Sequence, residues 1–122
     1  MDKGKMIAMY LQFRRELDKM CVPKILEHSE IVNPIEYDGQ VVGMISGSRA
    51  YIDCLYIYPK YRRKGLGKKA ALDYVRGHLH YGIKLDIINN NEVAKKFWNS
   101  IFILREIEHN DIDTLYLIVG IK

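Results

Sequence analysis

The sequence predicts an α+β (mixed α/β) domain, with a central, mostly antiparallel sheet flanked by helices. Three observations carry the prediction. Strand-like segments flank an Asp38-Gly39 turn, the pairing signal of an antiparallel hairpin. A glycine-bearing basic loop then leads from a strand into a helix. The predicted elements run two helices, three strands, helix, strand, helix, two strands, an order that fits neither a bundle nor a sandwich. At 122 residues the chain buries one core, so residues 1–122 are expected to form a single domain.

Met6, Tyr10, Phe13, Leu17 and Met20 recur at spacings of four and three, the apolar stripe of a first helix. Pro23 suits the first turn of a short second helix carrying Ile25 and Leu26. Ile35 to Tyr37 and Gln40 to Ile45 are the strands around Asp38-Gly39. Gly47 to Ala50 forms a second tight turn, and Tyr51 to Tyr58 a third strand, stopped by Pro59. A helix over Leu66 to Leu79 places Ala71, Leu72, Val75 and Leu79 on one face. Ile83, Leu85 and Ile87 alternate with Lys84 and Asp86 in the next strand. Asn90 is suited to cap a helix that begins near Asn91 or Glu92 and ends near Ser100. Two last strands, about Phe102 to Glu108 and Thr114 to Ile121, flank the turn-prone Asn110 to Asp113.

Composition narrows the function classes. With 48% hydrophobic and 28% charged residues, the chain reads as an ordinary globular protein. No run approaches the length of a bilayer span, and no signal-peptide core follows Met1, so no membrane partner and a cytoplasmic location are expected. Cys21 and Cys54 have no metal-like or redox-like spacing, and both are expected to be reduced. His78 and His80 stand too isolated for a metal centre, and no metal is expected. The net charge of +4 favours anionic partners. Six of the 19 Lys and Arg lie between Lys60 and Lys69, which points to a defined anion site.

That segment reads YPKYRRKGLGKKA, Tyr58 to Ala70, with six cations, two glycines and no acid. The first turn of a helix presents unbonded N–H groups and the positive end of the macrodipole. Gly65 and Gly67 let a ligand oxygen approach the main chain and make positive φ cheap. Such a loop with Arg and Lys around it suits a phosphate or pyrophosphate.

Arg62-x-x-Gly65-x-Gly67, after LYIYPKY and before a helix, resembles the acetyl-CoA pyrophosphate loop of the GNAT superfamily of N-acyltransferases. Asn91-x-x-Ala94-x-x-Phe97-Trp98 resembles the same family's segment on the helix lining the pantetheine arm, and the element order from Met6 to Ile121 is similar too. The resemblance implies a GNAT-like fold, acetyl-CoA as cosubstrate, and an amine acceptor that is a small molecule, a protein or an aminoacyl-tRNA. It implies that main-chain groups of Arg63, Lys64, Gly65, Leu66, Gly67 and Lys68 hold the pyrophosphate, supplemented by the side chains of Arg62, Arg63 and Lys68. Main-chain groups of Leu55, Tyr56 and Ile57, on a splayed strand, would bond the pantetheine amides and the acetyl carbonyl, with Asn91 and Phe97 beside the arm.

Acyl transfer to an amine requires a neutral nucleophile, a polarised carbonyl and a protonated leaving thiolate. Freeing the lone pair of a lysine-like amine at pH 7 costs roughly 4–5 kcal/mol, which a positioned base reduces. In the resembled family a Glu on the strand before the loop often serves. Tyr51 falls nearest that position, and Asp53 is the better chemical candidate, with His28 a weaker one. The sequence departs from the family at Trp98, where Tyr is frequent, since an indole N–H is no useful proton source. Water or another tyrosine, such as Tyr116, would then protonate the sulfur. It departs again at NSIFI, where a Gly is frequent, and in beginning at the first helix, without the family's opening strand. The edge this trims is one a partner subunit would cover, and a homodimer is an expectation. Two other classes compete with the enzyme: a non-catalytic acyl-CoA-binding or assembly protein, and a small nucleic-acid-binding module using the basic cluster.

Overall fold

In the computed structural model the described residues are 30–78 and 82–122. The helices expected over Met6–Met20 and from Pro23, together with His28 and Leu79, lie outside them. Asp38 and Gly39 take φ of 52° and 76°, the two left-handed residues that a two-residue hairpin turn requires. They join β1 (Ile31–Tyr37) to β2 (Gln40–Ser48), and a turn at Arg49-Ala50 leads into β3 (Tyr51–Ile57). A 3-10 turn, Pro59–Tyr61, precedes α1 (Leu66–Arg76); then come β4 (Lys84–Ile88), α2 (Glu92–Ile101), β5 (Phe102–His109) and β6 (Asp113–Ile121).

The six strands form one sheet in the order β1-β2-β3-β4-β6-β5. Every neighbouring pair is antiparallel except β3 and β4. The expected α+β architecture is therefore observed, with one parallel junction at its centre. Ala71, Tyr74 and Val75 of α1 and Ile101 of α2 share a single core with Ile45, Ile52, Leu85, Ile87 and Phe102, so both helices cover the same sheet face. Because side chains alternate along a strand, Tyr51 and Asp86 fall on the other face; the β2 register slips at Asp53, with Ile52 opposite Gly47 and Cys54 opposite Ser46.

Two readings need correction. Asn91, not Asn90, caps α2: its side chain accepts the Ala94 N–H at 3.0 Å. Cys54 is buried as expected, at 6% exposure, but it is disulfide-bonded and not a reduced thiol. The chain's other cysteine, Cys21, lies outside the described residues. The expectation of a reducing compartment loses the support it took from two thiols.

Candidate functional site

The β3–β4 ladder has two rungs, Tyr51↔Lys84 and Ile52↔Leu85. Beyond them β3 stays with β2 as far as Gly43↔Ile57, while β4 stays with β6 as far as Ile88↔Asp113. The two strands part, and residues 55–57 wall the opening without a β4 ladder. This is the splayed strand the sequence led one to expect at Leu55, Tyr56 and Ile57. Gly43 sets that wall: a Cβ there would fall 2.1 Å from the Tyr56 carbonyl oxygen, so β2 approaches β3 more closely than any side chain allows.

After the wall, the chain reverses through the 3-10 turn. Arg63 and Gly65 both take left-handed backbone, φ 65° and 76°. Gly65 is the N-cap of α1, and no side chain caps the helix and no acid stands in its first turn. The first α1 bond runs from the Lys69 N–H to the Gly65 carbonyl at 3.1 Å, so the N–H groups of Leu66, Gly67 and Lys68 are not consumed by the helix. Left-handed residues one apart, followed by these N–H groups, make a concave positive cradle. A Cβ added at Gly65 would meet nothing within 4 Å, so the space before the cradle is open.

The basic side chains divide by role. The Arg62 Nε–H donates to the Ile57 carbonyl at 2.8 Å, and its guanidinium lies 5.6 Å from the Tyr56 ring centre. Arg62 therefore ties the loop to the end of β3. Lys64 sits over Tyr37 at 5.4 Å and Lys60 over Tyr61 at 5.1 Å, a cation–π surface beside the cradle. Arg63 and Lys68 are exposed and flank it.

Helix α2 closes the third side. Gly67 lies against the Phe97 ring and the Leu55 side chain, so three of the sequence candidates meet at one point. Trp98 stacks on Phe102 with ring centres 6.1 Å apart and sits edge-on to Phe97 at 4.9 Å; it packs against the core and offers no proton.

At the closed end of the opening are the half-buried Tyr51 and Asp53. Burial chiefly, then the charge on Asp86, then that on Asp53, push the Tyr51 phenol up, and its hydroxyl bonds the Asp86 side chain, with Asp113 adding its charge. Tyr51 is thus held as a neutral donor. Asp86 was missed in the sequence because only the parallel register across the sheet brings it to Tyr51; its alternation with buried Leu85 and Ile87 marked its face but not its neighbour.

A separate cavity of about 270 Å³ lies between β1 and α1, with Ile35, Ile45 and Ala70 among its walls. No β3 residue lines it, and of the cradle residues it touches Leu66. Among the described residues no group of three or more His, Cys, Asp or Glu is placed to hold a metal, and no helix is long and apolar enough to cross a membrane.

The family model described as Acetyltransferase (GNAT) family matches residues 6–102. No curated protein matches the chain by sequence. Among solved structures, a putative streptothricin acetyltransferase from Bacillus anthracis, in complex with acetyl coenzyme A, is 22% identical with a TM-score of 0.62, over 75% of this chain and 63% of that one. The PaiA N-acetyltransferase of Thermoplasma acidophilum, with coenzyme A, is 16% identical with a TM-score of 0.56, over 94% and 79%. Arabidopsis thaliana NAA60 with a bisubstrate analogue is 14% identical with a TM-score of 0.62, over 98% and 96%. The chain thus spans less than two thirds of the Bacillus protein's length.

Proposed function

The chain belongs to the acetyltransferase (GNAT) family, and from that premise we propose that it moves an acetyl group from acetyl-CoA to a primary amine by direct transfer. One observation carries the reading: the cradle of Arg63 to Lys68 stands beside a strand wall, residues 55–57, that no β4 ladder covers. A pyrophosphate fits the cradle by charge and by the open space before Gly65. A pantetheine arm, rich in amide groups, fits a strand edge that still has hydrogen bonds to give. The side chain of Asn91 is committed to the α2 cap, so it shapes the arm's border by fixing the helix, and Phe97 supplies an apolar side.

In the transfer the amine nitrogen attacks the acetyl carbonyl carbon, the carbon–sulfur bond breaks and its electron pair leaves on sulfur. The main-chain N–H of Ile57, on the side of β3 away from β2, steadies the developing oxyanion. Asp53 takes the proton of the amine, and water returns one to the sulfur, since Trp98 has none to offer. Tyr51, a neutral donor, is not the base. The acceptor is a small amine, a protein amine or an aminoacyl-tRNA.

Calorimetric titration with acetyl-CoA tests the reading. We expect binding that Gly65→Asp abolishes: the added side chain meets no atom, although the left-handed backbone strains it, and its carboxylate stands where the pyrophosphate sits. Equal affinity in the variant would show that the cradle is not the site. The packed Trp98 favours a second reading, a coenzyme-binding protein without transfer. Tight acetyl-CoA binding with no CoA release across small-amine, peptide and aminoacyl-tRNA acceptors would select it. A basic surface serving nucleic acid instead would show steeply salt-dependent RNA or DNA binding and no coenzyme titration.

A further inference from the structure

Two cations beside the cradle have no part in the reading above. Lys64 belongs to the cradle by its main chain, but its side chain turns back over β1, with the ammonium 5.4 Å from the Tyr37 ring centre. Lys60 stands over Tyr61 at 5.1 Å and near Tyr58 at 6.0 Å. The Tyr37 and Tyr61 ring centres are themselves 6.1 Å apart, tilted by 60°. The Tyr61 hydroxyl donates to Gln40 Oε1 at 2.9 Å, and Gln40 pairs with Tyr37 across the hairpin. The end of β1, the start of β2 and the 3-10 turn thus build one tyrosine platform, with an ammonium on each ring.

Among the described residues no carboxylate forms an ion pair with Lys60 or Lys64, whereas Lys69 is paired with Asp73 at 3.6 Å. A ring face holds an ammonium in place without neutralising it, and the ammonium keeps N–H donors to give. Like charges gathered on one platform repel, and an anion beside them relieves the repulsion. Acetyl-CoA carries such an anion in addition to its pyrophosphate. Its ribose bears the pyrophosphate at C5′ and a separate phosphate at C3′.

We propose that Lys64 and Lys60, held on Tyr37 and Tyr61, are the subsite for the 3′-phosphate of the coenzyme, and that they make the chain select CoA over dephospho-CoA. This rests on the reading of the cradle as the pyrophosphate site. The two sites are joined in both molecules: Lys64 is part of the cradle, and the 3′-phosphate is one ribose away from the pyrophosphate. A lysine meets a phosphate as a point charge on a flexible stem. The rings therefore matter, because they fix where that charge stands.

The test is calorimetry of the full chain at low salt, with acetyl-CoA and acetyl-dephospho-CoA as the two ligands. Wild type is expected to bind acetyl-CoA about tenfold more tightly, the worth of one charge-assisted hydrogen bond. Lys64→Gln and Lys60→Gln each lower that ratio, and the double variant brings it near one. Tyr37→Leu keeps both charges and still lowers the ratio, because the Lys64 ammonium loses its support. Tyr37→Phe keeps the ring and keeps the ratio, and it serves if the leucine variant folds poorly. Arg105→Gln removes an equal charge from an exposed position on β5, and its ratio stays that of wild type. A wild-type ratio near one, a double lysine variant that still discriminates, or an equal loss in Arg105→Gln overturns the proposal. If neither ligand titrates, the coenzyme reading fails and this inference with it. Equal affinity for both ligands, with binding still abolished by Gly65→Asp, overturns this inference alone.

Discussion

Gly67 and Phe97 are in contact distance of each other's faces: a Cβ placed on Gly67 would lie 3.5 Å from the Phe97 Cζ and 3.7 Å from the Leu55 Cδ2. The loop, the strand wall and α2 converge there. A methyl group fits at those distances, whereas a branched side chain wedges α2 away. Gly67→Ala is expected to bind acetyl-CoA as wild type does. Gly67→Val is expected to bind at least about tenfold more weakly, from overpacking of roughly 1–3 kcal/mol. Calorimetry decides, and equal affinities in the two variants would mean that α2 does not border the coenzyme.

Arg62 and Arg63 are adjacent in sequence and differ in task. Arg62 holds the Ile57 carbonyl at 2.8 Å, which a lysine ammonium on a flexible stem does not replace in geometry. Arg62→Lys keeps the charge, so affinity for acetyl-CoA should fall while its salt dependence stays as in wild type. Arg63→Gln removes an exposed charge beside the cradle, and the dependence on salt should become shallower. Titrations at two ionic strengths separate these outcomes; the reverse assignment would show that Arg62 is the cation that meets the phosphate.

The parts of this fold legible in the sequence are those that local chemistry dictates. Asp38-Gly39 announces its hairpin because only such residues take two successive left-handed conformations cheaply. Arg62 to Gly67 announces its loop because glycines and cations are placed where a helix begins. The parallel pairing of Tyr51 with Lys84 leaves no local trace, since its partners are separated by all of α1, and with it Asp86 stayed hidden. Asn90 and Asn91 are equally good caps by type; the phase of the helix, which buries Ile101 and turns Phe97 toward Gly67, selects Asn91. The disulfide state of Cys54 was equally out of reach, because a buried strand cysteine looks the same to composition whether bonded or not.

Gly43 is expected to tolerate no side chain. Its Cβ would stand 2.1 Å from the Tyr56 carbonyl oxygen and 3.0 Å from the Ile57 Cα, both main-chain atoms that move only with the strand. Gly43→Ala should lower stability by about 1–3 kcal/mol and weaken acetyl-CoA binding together, since the atoms displaced are those of the coenzyme wall. Thermal melting followed by circular dichroism, with calorimetry beside it, gives both numbers. A variant that melts normally but binds poorly would contradict the coupling.

Tyr74, buried on α1, brings its hydroxyl to 2.6 Å from the Ser48 carbonyl and 3.1 Å from that of Tyr51, tying the helix to the turn at which β3 begins. Gly47 makes room for it, since a Cβ there would lie 2.7 Å from the Tyr74 oxygen. Burial chiefly, with the charges of Asp53 and Glu30, pushes this phenol up to about 12 from an ordinary 10.0. The folded protein thus holds the proton more tightly than the unfolded chain. The stability linked to it is fully present below pH 10 and is lost as pH rises toward 12. Tyr74→Phe should cost about 1–2 kcal/mol at neutral pH for the lost hydrogen bond. Its deficit against wild type should then shrink through the alkaline window, because phenylalanine has no proton to lose. Melting temperatures of both proteins measured at intervals from neutral to strongly alkaline pH provide the check. A gap between the two curves that stays constant across that range would mean that the Tyr74 hydroxyl does not anchor the turn in its protonated form.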